Sequence, residues 1–299
     1  MMRRFRTLVG TLPFAKTLYG KYLAWLSAAK VSRGHTRLNI LEAFPAFVAN
    51  GWGRYGPRAR LTVKSVNQTI PALLTLPQPE SRSPLAEATV HDFAKGSESL
   101  PDVLRLKSLF DDHGSDKATR HDYHVAYARM LVAPERVAKV FEIGLGTNNP
   151  DVVSTMGRGA RPGASLRAFR DYCPNAMVYG ADFDRQILFQ HDRIRTYYLD
   201  QTDANTFEAV GAAVGDDFDL MIDDGLHAPN ANLHSLAFFL PRIRPGGWAV
   251  IEDISPASRA IWELVGRILP GQYECHLIRG RAALMFAVRR RDRSEVGSR

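Results

Sequence analysis

Cysteine is scarce in this chain, and a long apolar run is missing. The two cysteines, Cys173 and Cys275, lie far apart among 299 residues and in no spacing that is typical of a metal site. A disulfide framework is therefore excluded, and a reducing compartment is favoured. No apolar run reaches the roughly 18 residues that a membrane span requires. These absences favour a globular cytoplasmic protein, whose 45% of hydrophobic residues can form a large core.

Acidic residues are nearly absent from the first quarter of the chain. Residues 1–70 contain 12 of the 39 Lys and Arg residues but only one acid, Glu42. The net charge of +8 therefore resides in this region, and we do not expect the slightly acidic remainder to bind nucleic acid. Apolar residues spaced four apart within residues 13–30 predict a helix. That helix either packs on the body or on another subunit, or it lies on an anionic membrane, with residues 1–35 as a peripheral contact.

The pattern changes near residue 101. Short β-rich runs then alternate with helical segments, which predicts a mostly parallel sheet covered by helices on both faces. The predicted strands are 137–143, 177–182, 195–200, 218–223 and 248–252, and the predicted helices lie near 164–172, 203–214, 229–240 and 256–268. Two final strand-like runs, YECHLI and AALMFAVRR, predict an antiparallel hairpin. We therefore divide the chain into a basic, partly helical N-terminal region with a linker (1–100), an α/β domain (101–290) and a basic tail (291–299).

A glycine turn follows the first predicted strand of this domain. In FEIGLGTNN, Gly144 and Gly146 let the backbone turn tightly and come close to a ligand. A dinucleotide-binding fingerprint requires a further glycine where Asn149 stands, so a dehydrogenase is disfavoured. The next two strands end at Asp182 and Asp200, and an acid at the tip of the second strand can accept both hydroxyls of a ribose. Three consecutive strand ends thus predict an adenosine site.

Carboxylates crowd the ends of the fourth and fifth predicted strands. The stretch DLMIDDGLHAP ends a strand on Asp223 and Asp224, with His227 soon after, and the next strand ends on Glu252 and Asp253. Neighbouring strands lie about 4.8 Å apart, so these acids converge, and a hard divalent ion such as Mg²⁺ relieves their repulsion. Helix capping by the second acid of each pair is the alternative. We favour a metal site beside which His227 accepts a proton.

Two further segments flank this predicted site. The loop TNNPDVVSTMGRGARPGA, residues 147–164, is much longer than usual and is a candidate lid or substrate wall. Upstream of the first strand, Lys117, Tyr123 and Tyr127 belong to an element that we expect to fold over the bound ligand. The weaker histidine candidates are His121, His124 and His234.

Several motifs together carry a family resemblance. This chain resembles the class I S-adenosylmethionine-dependent methyltransferases in five motifs that follow one another along the sequence. They are EIGLGTNN, PGASLRAFRDYCPNAMVYGADFD, DRIRTYYLDQTD, DLMIDDGLHAPNAN and PGGWAVIEDI. More narrowly, the chain resembles the macrolide-sugar O-methyltransferases of the mycinamicin type and their relatives in glycan and antibiotic pathways. The upstream HGSDKATRHDYHVAY is similar to the GTDKxxxHxY element of these proteins. The resemblance covers residues 105–290, and it does not extend to residues 1–100.

The resemblance implies a doubly wound, Rossmann-like α/β fold, with a mostly parallel seven-stranded sheet of order 3-2-1-4-5-7-6 and a basic N-terminal extension. It also implies methyl transfer from S-adenosylmethionine to a sugar hydroxyl, assisted by Mg²⁺ or a similar divalent cation. By matching motifs, Asp224 and Asp253 would be metal ligands, completed by Glu252 or Glu142, and His227 would be the general base. Asp223 would turn toward the cosubstrate or the backbone. The residues matched to the cosubstrate are Glu142, Gly144, Gly146, Asp182, Asp200 and Asp223.

Two departures from the family pattern leave every functional group in place. Asn148 stands where a third glycine is usual, and Leu226 stands where relatives often have serine. We therefore predict a Mg²⁺-dependent O-methyltransferase that acts on a sugar hydroxyl of a glycan or glycosylated natural product. The alternative is a catalytically silent or non-sugar protein of this fold that acts as a binding subunit through its basic N-terminus. The expected partner is a small molecule or glycan, and a homo-oligomer stays open.

Overall fold

The computed structural model describes residues 64, 65, 67–69, 71–73, 76, 85–96 and 101–296. The predicted amphipathic helix (13–30) and the membrane contact (1–35) concern residues that lie outside this described part, as does most of the predicted basic extension. None of the described helices combines the length and the apolar character that crossing a bilayer requires.

In the described part of the chain, nine strands form one mixed sheet of order β1-β8-β9-β7-β6-β2-β3-β5-β4. Along the chain they are β1 (Ala86–Thr89), β2 (Lys139–Ile143), β3 (Met177–Asp182), β4 (Gln190–His191), β5 (Ile194–Tyr198), β6 (Phe218–Asp223), β7 (Ile243–Ile254), β8 (Tyr273–Arg279) and β9 (Leu284–Arg290). Neighbours are parallel from β5 through β3, β2 and β6 to β7, whereas β9 is antiparallel to β7 and β8. The predicted strand order 3-2-1-4-5-7-6 and the final hairpin are confirmed.

Among the described residues the sheet has nine strands rather than the predicted seven, because two short strands extend its edges. β1 pairs in parallel with β8, and β4 pairs antiparallel with β5. β1 has four residues and β4 has two, which is too short for alternation of polar and apolar residues to reveal them. β1 also shows that the sheet begins before residue 101, where we placed the start of the domain.

Helices cover both faces of the sheet, as predicted. They are α1 (Val90–Phe93), α2 (Pro101–His113), α3 (Tyr123–Met130), α4 (Ala164–Tyr172), α5 (Ala204–Val214), α6 (Pro229–Phe239), α7 (Arg259–Ile268) and α8 (Arg293–Val296), with 3₁₀ turns at Pro134–Arg136, Arg185–Ile187 and Pro256–Ser258. Buried residues of α2, α3 and α4 form one core with one face of the sheet. Those of α5, α6 and α7 form a second core with the other face. Two apolar layers thus enclose the central strands.

The central strand β2 is anchored in the second core by Phe141. This side chain is fully buried, and its ring centroid lies about 6 Å from those of Phe218, Phe238 and Phe239. Because β2 lies in the middle of the sheet, a cavity here is bordered by strands and a helix that cannot easily collapse into it.

We expect Phe141→Ala to lower the free energy of unfolding by about 3–5 kcal/mol, through lost burial and an unfilled cavity. Urea unfolding followed by circular dichroism measures the loss. Val132→Ala is the matched control, because Val132 is 68% exposed and its truncation should change stability by less than about 0.5 kcal/mol. Equal losses in the two variants would contradict the packing described here.

Candidate active site

Alternation along the strands decides which carboxylates face one another at the carboxyl edge of the sheet. Every second side chain of a strand points to the same face. Val140 of β2 and Val250 of β7 both belong to the core beneath α2, α3 and α4. Glu142 and Glu252, two positions further on, therefore point to that face as well. Asp223 of β6 points to the other face, toward α6.

A cavity of about 450 Å³ opens at this edge. The strand ends form its floor, and the long loop after β2, predicted as a lid or substrate wall, contributes several lining residues between positions 151 and 161. The predicted site residues that line it are Gly144, Gly146, Asp182, Asp200, Asp224, His227, Glu252 and Asp253. In the described part of the chain, Glu142 and Asp223 are fully buried and lie behind this lining.

Lys117 occupies the centre of the acidic cluster. Its side chain is 2% exposed, and its Nζ lies 2.7 Å from Asp224 Oδ2, 3.1 Å from Glu142 Oε1 and in contact with Glu252 Oε2. Burial alone would lower the pKa of Lys117, but the three carboxylates outweigh burial and hold this pKa well above its usual value. Burial raises the pKa of Glu252, and contact with Lys117 opposes that rise. Lys117 therefore stays charged and ties together the ends of β2, β6 and β7.

Two buried tyrosines of α3 complete the cluster. The hydroxyl of Tyr127 donates to Glu252, and that of Tyr123 donates to Asp253 Oδ1 at 2.9 Å. Burial and then the adjacent carboxylates raise the pKa of both phenols well above the usual value, so both hydroxyls keep their protons and act as donors. The upstream element that we expected to fold over the ligand thus packs against the acids of the site.

Asp224, His227 and Asp253 form a compact group at the floor of the cavity. One ligand atom from each lies within 4.8 Å of the others. His227 Nε2 is 3.8 Å from Asp224 Oδ1. This spacing suits either a single cation or a bound hydroxyl beside its proton acceptor. His227 Nδ1 is buried without a hydrogen-bond partner among the described residues, so no described group selects one tautomer of the ring.

Two members of this group have a left-handed backbone. The angle φ is +54° at His227 and +52° at Asp253, a conformation that costs a non-glycine residue of order 1–3 kcal/mol. At Asp253 it accompanies a shift in the register between β7 and β9, which falls between Ile251 and Ile254. The Asp253 side chain consequently reaches Tyr123 on the α3 side of the sheet, which simple alternation would not predict.

Asp223 is held behind the cavity in a closed polar network. Its carboxylate accepts hydrogen bonds from Gln201 Nε2 at 2.8 Å, Asn232 Nδ2 at 2.9 Å and the backbone N–H of Gly225 at 3.1 Å. Gln201 Nε2 also donates to Ser235 Oγ at 2.9 Å. Burial raises the pKa of Asp223, and the hydrogen bonds oppose that rise. Of the two predicted orientations of Asp223, toward the cosubstrate or toward the backbone, the structure shows contact with the backbone.

Gln201 is a positioning residue that the sequence analysis missed. Its Oε1 accepts the backbone N–H of Leu226 at 2.7 Å, so one side chain joins the buried Asp223 to the loop that carries Asp224 and His227. A glutamine beside a strand end has no distinctive spacing in the sequence, since its partners lie far away along the chain. Its role becomes visible only when β5 and β6 are placed in the same sheet.

Gly144 and Gly146 both have a left-handed backbone, with φ of +92° and +75°. A Cβ at Gly144 would lie 2.1 Å from the carbonyl oxygen of Asp224. That backbone is close because the Asp224 N–H donates to the Ile143 carbonyl at 2.8 Å. A Cβ at Gly146 would have Met156 Cγ, at 3.6 Å, as its nearest described neighbour. The close approach at Gly144 is therefore to the chain's own backbone, and Gly146 borders the open cavity.

The predicted adenosine residues line the other end of the strand edge. The two carboxylate oxygens of Asp182 each accept one backbone N–H, at 2.7 and 2.8 Å, and each retains a lone pair for a ligand. Asp200 Oδ1 accepts from the N–H and hydroxyl of Thr202 at 2.8 and 2.6 Å. Phe183, which the sequence analysis did not single out, lines the same cavity and is 54% exposed.

The weaker histidine candidates separate in space. His121 lines the cavity, and its Nδ1 lies 3.2 Å from Asp253 Oδ1 without the angle of a hydrogen bond. His124 is buried within α3, and His234 Nδ1 lies 3.0 Å from the backbone carbonyl of Gln201. In the described part of the chain, neither His124 nor His234 lines the cavity.

Strand order and the position of the site define the fold class, which is that of class I S-adenosylmethionine-dependent methyltransferases. No family model matches the chain. A methyltransferase from the mycinamycin biosynthetic pathway, solved in complex with Mg, SAH and mycinamycin VI, aligns with a TM-score of 0.50 at 23% identity. The alignment covers 62% of this chain and 53% of that chain, and it supports the fold.

Curated relatives define a narrower resemblance. The chain is 34% identical over 155 residues to 8-demethyl-8-alpha-L-rhamnosyl tetracenomycin-C 2'-O-methyltransferase of Streptomyces olivaceus. This alignment covers 51% of this chain and 38% of that protein. The chain is also 40% identical over 93 residues to mycinamicin VI 2''-O-methyltransferase of Micromonospora griseorubida. This second alignment covers 31% of this chain and 23% of that protein. The predicted resemblance to mycinamicin-type O-methyltransferases is confirmed. The chain spans less than half the length of either relative.

The two glycines of the turn provide a matched pair of substitutions. We expect Gly146→Ala to lower the free energy of unfolding by roughly 1–2 kcal/mol, the cost of a left-handed backbone with a Cβ. Gly144→Ala should cost at least about twice as much, because its Cβ also displaces the Asp224 backbone. Urea unfolding of both variants tests this order. A smaller loss for Gly144→Ala than for Gly146→Ala would contradict the described approach of the two strand ends.

Proposed function

We propose that the protein is a Mg²⁺-dependent S-adenosylmethionine O-methyltransferase that acts on a sugar hydroxyl of a glycan or glycosylated natural product. The proposal rests chiefly on the group of Asp224, His227 and Asp253 in a cavity that also contains the glycine turn and Asp182. The relatives that the chain resembles are sugar O-methyltransferases. A structure of the same fold was solved with Mg and SAH.

One end of the cavity offers hydrogen-bond acceptors suited to the ribose of an adenosine. Asp182 retains lone pairs for the two ribose hydroxyls. Gly146 leaves space beside the turn, and the half-exposed ring of Phe183 offers a flat apolar surface on the cavity wall. Asp200, which follows β5 in the chain, also lines the cavity. S-adenosylmethionine, when bound there, supplies the methyl group.

The acids at the other end fit a hard divalent cation. Mg²⁺ prefers oxygen ligands, and Asp224, Glu252 and Asp253 all line the cavity. Glu252 is a better third ligand than Glu142, because Glu142 is buried behind the lining and is hydrogen-bonded to Ser165. Mg²⁺, when held by these carboxylates, would lower the pKa of the acceptor hydroxyl and help to orient it.

His227 acts as the general base in this proposal. A histidine that binds a cation through Nε2 cannot accept a proton at the same atom, and the preference of Mg²⁺ for oxygen leaves Nε2 free. From its position beside Asp224, His227 takes the proton of the acceptor hydroxyl, and the Asp224 carboxylate stabilises the imidazolium. The acceptor oxygen would then attack the sulfonium methyl in line while the bond from sulfur to that methyl breaks, which leaves the neutral thioether S-adenosylhomocysteine, so positioning would contribute much of the rate.

Asp224→Asn tests the metal role. We expect at least about a hundredfold loss of methyl transfer, because the amide lacks the charge that binds the cation. Transfer of labelled methyl groups to candidate glycosides, with and without EDTA, measures this effect. Asp192→Asn is the control, since the Asp192 side chain is 79% exposed and should be dispensable. Transfer that is indifferent both to EDTA and to Asp224→Asn would refute a metal-dependent reaction.

His227→Ala tests the base. We expect the rate constant of methyl transfer to fall by about 10²–10⁴-fold, since the proton acceptor is lost. Cosubstrate affinity, measured by calorimetry, should stay within a few-fold of the unmodified protein, because the adenosine end of the cavity is intact. His191→Ala, an exposed residue of β4, controls for general effects. Full activity of His227→Ala would exclude His227 as the base.

A further inference from the structure

Lys117 shares its contacts with the carboxylates that would hold the cation. Asp224 presents Oδ2 to Lys117 Nζ at 2.7 Å and Oδ1 toward His227. Glu252 presents Oε2 to Lys117 and Oε1 to the hydroxyl of Tyr127. Any cation that binds Asp224 and Glu252 therefore binds groups that an ammonium already contacts. This inference rests on the metal site of the proposed function.

The cluster contains more acidic groups than ammonium groups. Glu142, Asp224, Glu252 and Asp253 are four acids, and Lys117 is the ammonium in direct contact with the first three. Buried like charges at such distances repel strongly unless a cation lies between them. In the metal-free protein Lys117 supplies this compensation. A divalent cation held by Asp224 and Glu252 would be repelled by the same ammonium.

Among the described residues, Glu142 is joined to the acids of the cation site by its contact with Lys117, and its charge also acts directly on Asp224 and Glu252. It is fully buried and does not line the cavity in the described part of the chain, and its contacts are Lys117 at 3.1 Å and the hydroxyl of Ser165. Glu142 therefore offsets part of the positive charge of Lys117. Loss of the Glu142 charge should leave more of that positive charge acting on Asp224 and Glu252.

We propose that Lys117 is a built-in counter-ion that holds the acidic cluster together without metal and weakens the binding of a divalent cation, while Glu142 moderates this effect. Lys117 and Glu142 are thus positioning residues that set how readily the cation binds and leaves. Substitutions at the two positions should consequently change cation affinity in opposite directions. A purely structural role would lower affinity in both cases.

The test measures Mn²⁺ affinity of the full chain by electron paramagnetic resonance, independently of activity. We expect Lys117→Met to bind Mn²⁺ at least about tenfold more tightly, and Glu142→Gln to bind it at least about tenfold more weakly. The double variant Lys117→Met/Glu142→Gln should return to within a few-fold of the unmodified protein. Lys117→Arg, which keeps the positive charge, should also bind Mn²⁺ within a few-fold of the affinity of the unmodified protein. Lys107→Met is the control, since Lys107 pairs only with Asp111 along the exposed face of α2 in the described structure.

Thermal unfolding covers the case in which Lys117→Met is unstable. Without metal its melting temperature should be lowered, and Mn²⁺ should raise that temperature more than it does in the unmodified protein. Affinity that falls in Lys117→Met, or a double variant as weak as Glu142→Gln, would overturn the counter-ion role. An unmodified protein that binds no Mn²⁺ would overturn the metal site itself, and the proposed function's dependence on Mg²⁺ with it. Tight binding by the unmodified protein with no change in Lys117→Met would overturn this inference alone.

Discussion

The buried ammonium of Lys117 forms ion pairs with three carboxylates that lie at the ends of three different strands. This contact allows the three acids to lie close together. Each acid lies within two residues of the end of a strand in the parallel part of the sheet, where the geometry of the fold brings the acids together whatever their charge. Without a cation, such proximity would force at least one acid to take up a proton or the edge to open. Lys117 comes from the segment between α2 and α3, so a contact distant in sequence stabilises the edge at which the cavity forms.

Two structural devices turn the strand ends into a site with distinct sides. Alternation sends Glu142 and Glu252 toward α3 and sends Asp223 toward α6, where Gln201 and Asn232 satisfy it. Left-handed backbone at His227 and Asp253 then departs from regular geometry and gathers these side chains with Asp224. Strain of this kind persists only where surrounding contacts over-determine it. The Gln201 network and the tyrosines of α3 are those contacts.

Much of the fold was predictable because its signals are local and periodic. Apolar runs located the seven main strands, and the glycine turn, Asp182 and the DDGLH and IED motifs marked the strand ends that line the cavity. The edge strands β1 and β4 escaped detection because two to four residues carry no period. Gln201 and Phe183 escaped it because one amide or one aromatic residue has no meaning until its neighbours in space are known.

The sequence by itself determined the order of strands and helices and the set of acids and histidines at the carboxyl edge, since alternation and turn chemistry depend on adjacent residues. Tertiary structure decided which of these groups line the cavity and which are buried behind it. It placed Asp223 behind the cavity, joined Glu142 to Lys117 rather than to the open site, and left Asp224, His227 and Asp253 together. The physical reason is that charge compensation acts between side chains close in space, and the segment that supplies Lys117 meets the strand ends only in the folded chain.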